Sequence, residues 1–160
     1  MKGNRKKDAV LFLIFLLFET FFVYSVFTKD ETRSSLLKVQ TVLSQGVDVF
    51  VLSTIISVIF TCIFFLFQYA IGRLLVRMFS SDEPNFFYYI LPRDIALMIN
   101  ILLFLSIGTN HQIMFSSVVF LSAFFTSFLF YKNTRSLIQS FIFAMPIYID
   151  TLVSILMVLK

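Results

Sequence analysis

The chain has 160 residues, of which 59% are hydrophobic and only 14% are charged. Charged residues make up about a quarter of an ordinary globular domain, so this composition excludes a soluble globular protein. The net charge of +4 comes from basic residues dispersed in short gaps between long apolar runs, which excludes a nucleic-acid-binding surface and is typical of a membrane protein.

Five apolar runs are long enough to cross a bilayer. A hydrocarbon core of about 30 Å needs roughly 20 apolar residues in a helix. The fold class is therefore predicted to be all-α, a polytopic membrane helical bundle that forms one integral-membrane domain over residues 1–160. The predicted transmembrane spans are residues 9–27, 47–70, 92–107, 113–131 and 137–159.

The basic residues are distributed unevenly between the two predicted sides of the membrane. With the N-terminus in the cytoplasm, nine of the 13 Lys and Arg residues, Arg93 included, lie on the cytoplasmic side and four lie outside. Short cytoplasmic loops carry an excess of Lys and Arg, so we predict a cytoplasmic N-terminus and an outside C-terminus. Abundant Phe, Ile and Lys without Trp is typical of an AT-rich genome, and we expect a bacterial plasma membrane.

The connection over residues 29–46 is polar but carries apolar residues close to one helical face. We expect a short amphipathic helix that either lies on the outer membrane surface or packs against its own bundle. The residues of this outer amphipathic segment are Leu36, Leu37, Val39 and Leu43.

A second connection, residues 80–91, contains a turn around Pro84 and an aromatic cluster that we expect at the level of the lipid headgroups. Pro92 is expected to open the third span, and the residues 86–91 ahead of it leave open a longer or a broken segment. Four charged residues near this cytoplasmic edge are candidates for contact with lipid headgroups or a partner: Arg73, Arg77, Arg93 and Asp94.

Polar side chains inside the spans are the main functional candidates, because each one is costly in lipid. Glu19 and Asp150 are expected near the middle of the first and fifth spans, with no Lys or Arg at that depth. Either the two carboxylates share a proton or a cation, or each is neutral or hydrogen-bonded to a nearby polar group. Asn100 is expected to hydrogen-bond across helices.

No motif in the chain predicts catalysis or a cofactor. The sequence lacks HExxH, P-loop and GxSxG motifs. His111 is the only histidine and Cys62 the only cysteine, whereas zinc ligation needs three or four ligands at defined spacing. We therefore expect no metal site, no cofactor and no enzymatic activity.

Residues 68–105 read QYAIGRLLVRMFSSDEPNFFYYILPRDIALMINILLFL. This stretch resembles the Yip1-like family of membrane proteins. The resemblance lies in an aliphatic-basic end of one span, a turn of small polar residues, an aromatic segment and a proline that opens the next span. The family usually has glycines in the turn, where this chain has Ser80, Ser81, Asp82 and Glu83. The resemblance implies five spans, a cytoplasmic N-terminus and a small accessory protein of the kind that works beside ABC exporters. It implies no catalytic residues.

Three functions stay open at this level. The first is a non-enzymatic accessory subunit that packs against a larger membrane complex such as an ABC-type exporter. The second is a small oligomeric carrier or channel that uses intramembrane carboxylates. The third is an immunity or sensing protein that binds an extracellular peptide at residues 29–46. The expected partners are the lipid bilayer and either other membrane subunits or further copies of the chain, without nucleic acid.

Overall fold

The computed structural model describes residues 5–40, 48–80, 84–108 and 112–159. These ranges contain six helices and no strand: α1 (Arg5–Thr28), α2 (Asp30–Gln40), α3 (Val49–Phe79), α4 (Phe87–Ile107), α5 (Gln112–Thr134) and α6 (Leu137–Val158). Every helix except α2 is long and apolar enough to cross a membrane. The predicted all-α bundle with five spans is therefore confirmed.

Two spans extend beyond their predicted ends. α3 continues from residue 70 to Phe79, and α4 begins at Phe87, five residues before the predicted start at Pro92. The side-chain oxygen of Asn85 accepts a hydrogen bond of 3.2 Å from the Phe87 backbone N–H, which satisfies a donor at the new helix start. Pro92 consequently lies inside α4, and the residues that follow it move deeper into the bundle.

The five spanning helices pack in a closed ring. α1 contacts α3 and α4, α4 contacts α5, α5 contacts α6, and α6 contacts α3. Helix α2 packs beside α1 and α3, where α1 ends and α3 begins. Each span therefore has two neighbours in the ring and leaves its remaining surface for lipid or a partner.

Aromatic side chains fill the middle of the ring, and each span contributes one that is at most 2% exposed. The ring centroids of Phe15 and Phe65 are 4.9 Å apart, and those of Phe65 and Tyr89 are 5.6 Å apart. Tyr89 is 5.4 Å from Phe143, which is 4.7 Å from Phe130. These separations are typical of favourable aromatic pairs, so the series joins all five spans. Tyr89 thus lies in the core rather than at the headgroup level predicted for its segment.

α3 and α6 approach each other closely at Gly72, which is buried. A Cβ atom at this position would collide with the backbone carbonyl oxygen of Phe143 on α6. Small residues permit such an approach between transmembrane helices, because van der Waals packing is a main source of their association in lipid.

Candidate functional site

Glu19 lies on α1 and is only 7% exposed. It accepts a hydrogen bond from the side chain of Thr61 on α3, and the Arg93 guanidinium on α4 is close enough to interact with it electrostatically. The expectation that no basic residue lies at this depth is wrong, because the early start of α4 carries Arg93 into the bundle. The sequence signal was the apolar and aromatic run before Pro92, which extends the span backwards.

Asp150 has a different partner. Its Oδ2 atom accepts a hydrogen bond of 3.0 Å from Nε2 of Gln68 on α3. Gln68 itself is only 5% exposed, whereas Asp150 is half-buried. The sequence offers hydrogen bonding to a nearby polar group as one interpretation of this acid, and Gln68 is that group.

The structure does not bring the two carboxylates to one site. Their partners on α3, Thr61 and Gln68, share a helix face but are seven residues apart, or about 10 Å at about 1.5 Å per residue. The buried ring of Phe65 lies on the same face between them. Each acid therefore has a hydrogen-bond partner of its own, as in the second interpretation given above.

The Gln68–Asp150 pair lines a groove of about 400 Å³ between α3 and α6, which we call the α3–α6 groove. Its other lining residues are apolar, and several of them are exposed on the outside of the ring, including Phe64, Phe67, Met145, Ile149 and Val153. The groove thus places the half-buried Asp150 side chain, with the buried Gln68 behind it, on a surface that otherwise suits hydrocarbon.

The remaining polar candidates of α4 are buried as well. Asn100 is 5% exposed and hydrogen-bonds across helices as expected, with Nδ2 donating to the Phe115 carbonyl oxygen at 3.4 Å. Asp94, expected at the cytoplasmic edge, is also 5% exposed. The hydroxyl of Tyr89 lies close enough to Arg93 and Asp150 to interact with both electrostatically.

The basic residues predicted to form one edge patch are divided by the structure. Arg73 is half-buried and Arg77 is exposed, both near the end of α3. Arg93 instead interacts electrostatically with Glu19, whose hydrogen-bond partner Thr61 is twelve residues from Arg73 along α3, or about 18 Å at about 1.5 Å per residue. Arg93 therefore belongs to the interior, and the predicted shared patch is wrong because α4 begins early.

The amphipathic segment forms α2, but its predicted apolar face does not pack as a unit. Leu36 is half-buried, whereas Leu37 and Val39 are 44% and 48% exposed. Leu43 lies outside the described residues. The structure therefore supports a contact of α2 with its own bundle through Leu36 and leaves the other two side chains outward.

Within the described residues, no three His, Cys, Asp or Glu side chains come together as a group that could hold a metal ion. No family model matches the chain, and no significant match is found among curated proteins or solved structures. The resemblance to the Yip1-like family therefore stays a prediction that rests on residues 68–105.

Proposed function

We propose that this protein is a non-enzymatic accessory subunit of a larger integral-membrane complex, and that its partner docks a transmembrane helix in the α3–α6 groove. The observation that carries this proposal is the Gln68–Asp150 pair, which lines a groove with otherwise apolar walls on the outside of the ring. The Yip1-like resemblance suggests a transporter such as an ABC-type exporter as the partner.

The groove faces lipid, in which a polar or charged side chain is costly. An aspartate in the middle of a membrane helix costs roughly 2.5–3.5 kcal/mol on insertion scales. One hydrogen bond from Gln68 occupies only part of the acceptor capacity of the Asp150 carboxyl group. A partner helix that adds a donor covers the pair and removes it from lipid.

The expected partner helix is apolar and carries a hydroxyl, amide or basic donor at the depth of Asp150. A second copy of the chain, docked by two-fold symmetry on the same groove, would instead bring two Asp150 carboxyl groups together. Carboxylates that share a site repel each other, so the groove favours a different protein over self-association.

A matched pair of substitutions tests this docking surface. Ile149 in the groove and Phe128 on α5 are 51% and 57% exposed. Four tagged proteins are purified from native membranes in mild detergent: wild type, the groove variants Ile149→Trp and Asp150→Leu, and the control Phe128→Trp. Quantitative mass spectrometry compares the proteins that co-purify with each. We expect one membrane protein to co-purify stoichiometrically with wild type and Phe128→Trp and to be lost from both groove variants. Recovery of the chain alone, or a partner unaffected by the groove variants, would contradict the proposal.

A second candidate function is favoured by α2. Leu37 and Val39 are exposed in a polar connection between α1 and α3. Exposed apolar residues of this kind suit the binding of an extracellular peptide. If the protein senses such a peptide, Leu37→Ser with Val39→Ser abolishes the response at unchanged membrane abundance, whereas Ile149→Trp leaves it intact.

We also propose that the N-terminus is cytoplasmic, the C-terminus is outside, and the membrane is a bacterial plasma membrane. With Arg93 moved into the bundle, eight of the Lys and Arg residues remain on the cytoplasmic side against four outside. The bias toward the cytoplasm therefore persists after this correction.

A further inference from the structure

Helix α4 carries several buried polar atoms that have no hydrogen-bond partner in the described part of the chain. They are the hydroxyl of Tyr89, Nη1 of Arg93, both carboxyl oxygens of Asp94 and Oδ1 of Asn100. Tyr89 is fully buried, and Asp94 and Asn100 are each 5% exposed. Leaving a buried polar group unsatisfied costs about 1–3 kcal/mol, and more when it is charged. Five such atoms on one helix therefore require an explanation.

Three of these residues lie together along one side of α4. Tyr89, Arg93 and Asn100 are spaced by four and seven residues, so they share a helix face, whereas Asp94 lies about 100° around the helix from Arg93 and is not part of this side. Tyr89 and Asn100 are eleven residues apart, or about 16 Å at about 1.5 Å per residue. Glu19 approaches the middle of this stretch from α1.

Aromatic side chains border both ends of the stretch. One turn beyond Asn100, the ring centroid of Phe22 on α1 is 5.8 Å from that of Phe104 on α4 and 6.1 Å from that of Phe115 on α5. One turn before Tyr89, the ring centroid of Phe86 is 5.9 Å from that of Phe65 and 5.0 Å from that of Tyr69, both on α3. The polar groups are therefore separated from both ends of the bundle by apolar layers.

We propose that the polar side of α4, together with Glu19, lines a closed compartment of ordered water molecules inside the bundle. The set combines donors on Arg93 and Tyr89 with acceptors on Asn100 and Glu19. Water serves both kinds, since a buried water molecule commonly makes two to four hydrogen bonds. Polar groups at membrane depth are tolerated where they face protein or a hydrated cavity.

Water fits this set better than a cation does. A metal ion beside the acids would meet the permanent positive charge of the Arg93 guanidinium. In the described ranges, no three acidic, His or Cys side chains are grouped as metal ligands. The inference rests on the buried polar atoms of α4 and does not require a partner in the α3–α6 groove, so failure of the docking experiment leaves it unaffected.

Radiolytic hydroxyl-radical footprinting with mass spectrometry tests for the water directly, because radicals formed from a bound water oxidise only adjacent side chains. Tyr89 and Phe130 are both fully buried aromatic residues, and Phe130 serves as the dry reference. We expect Tyr89 of the purified wild-type protein to be oxidised at least five-fold faster than Phe130. Equal, low oxidation of both residues would overturn the inference.

A variant separates bound water from a general loosening of the bundle. Asn100→Leu removes an acceptor at similar side-chain size, and we expect it to lower the oxidation rate of the buried Phe104, one turn further along α4, at least two-fold. Ser106→Ala is the control, because the exposed Ser106 hydroxyl donates to its own helix at Leu102. An unchanged Phe104 rate in a folded Asn100→Leu protein would contradict the assignment of water to this side of α4.

The apolar layers at the two ends give a second measurement. Wild-type protein in lipid vesicles with an internal pH-sensitive dye is expected to show the proton leak of empty vesicles, because the compartment is closed. A leak several-fold above that of empty vesicles would show a continuous water path and overturn the closed compartment.

Discussion

Arg93 decides how charge is accommodated inside this bundle. Its guanidinium is permanently charged, and an isolated Arg at membrane depth costs roughly 2.5–3.5 kcal/mol on insertion scales. The structure places Glu19 of α1 within electrostatic range of it and gives Glu19 the Thr61 side chain as a further partner. Residues of three helices of the ring, α1, α3 and α4, therefore meet around the Glu19 side chain.

The electrostatic interaction between Glu19 and Arg93 is open to a double-mutant cycle. Arg93→Met leaves the buried Glu19 without a nearby cation, and we expect a loss of stability of about 1–3 kcal/mol. The double variant Glu19→Leu with Arg93→Met is expected to lose less than the sum of the two single losses, by roughly 0.5–3 kcal/mol. Unfolding by SDS in mixed micelles, followed by circular dichroism, measures these free energies. Additive losses would show that the two groups do not interact.

Gly72 is the residue that sets the distance between α3 and α6. Gly72→Ala places a Cβ against the Phe143 carbonyl oxygen, and we expect a loss of about 1–3 kcal/mol from overpacking. The control is Ala70→Val, which enlarges an exposed residue on the same helix. In thermal unfolding in detergent, the midpoint temperature should be lower for Gly72→Ala than for wild type and unchanged for Ala70→Val. An unchanged midpoint would mean that the two helices separate without cost.

At the scale of the helices, the starts of α3 and α4 illustrate how differently local signals perform. Asp48 is an acidic residue directly before an apolar run, and its Oδ1 atom accepts hydrogen bonds of 2.9 and 3.3 Å from the backbone N–H groups of Phe50 and Val51. Pro92 is the misleading case. Proline is favoured at the first position of a helix, but α4 already begins at Phe87.

The cap of α3 gives a prediction for an element end. Asp48→Ala is expected to destabilise the protein by about 0.5–2 kcal/mol, because two backbone donors lose their acceptor. Asp48→Asn keeps a capping oxygen and should retain most of the stability. Chemical denaturation of both variants in the same detergent distinguishes them. Equal losses would show that the charge of Asp48, rather than its capping oxygen, stabilises this end.

At the scale of the whole molecule, the closed ring explains why the two intramembrane acids have separate surroundings. Glu19 faces α3 and α4, whereas Asp150 on α6 meets α3 beside the groove. A carrier that depends on direct proton sharing between these acids has no support in this arrangement. A docking role has support, because Asp150 remains partly exposed on the outside of the ring and its carboxyl group can accept further hydrogen bonds.

The predicted orientation belongs to the same scale and is tested with reporter fusions. Alkaline phosphatase fused after residue 160 should be active, and green fluorescent protein fused there should be dark, if the C-terminus is outside. Fusions after Arg135, which lies between α5 and α6, should give the reverse pattern. The opposite result at both positions would invert the topology and place Lys132 and Arg135 outside, against the charge bias.

The number of spans, their approximate limits and the presence of α2 follow from the sequence alone. Run length and apolar composition determine them, because the bilayer thickness and the need to satisfy backbone hydrogen bonds within each span leave few alternatives. The depth of Glu19 along α1 follows from the same count of residues. Which groups meet is decided only by the tertiary structure. The electrostatic interaction of Glu19 with Arg93 and the hydrogen bond of Gln68 to Asp150 depend on the relative height and rotation of packed helices, and a hydrophobic run does not encode either.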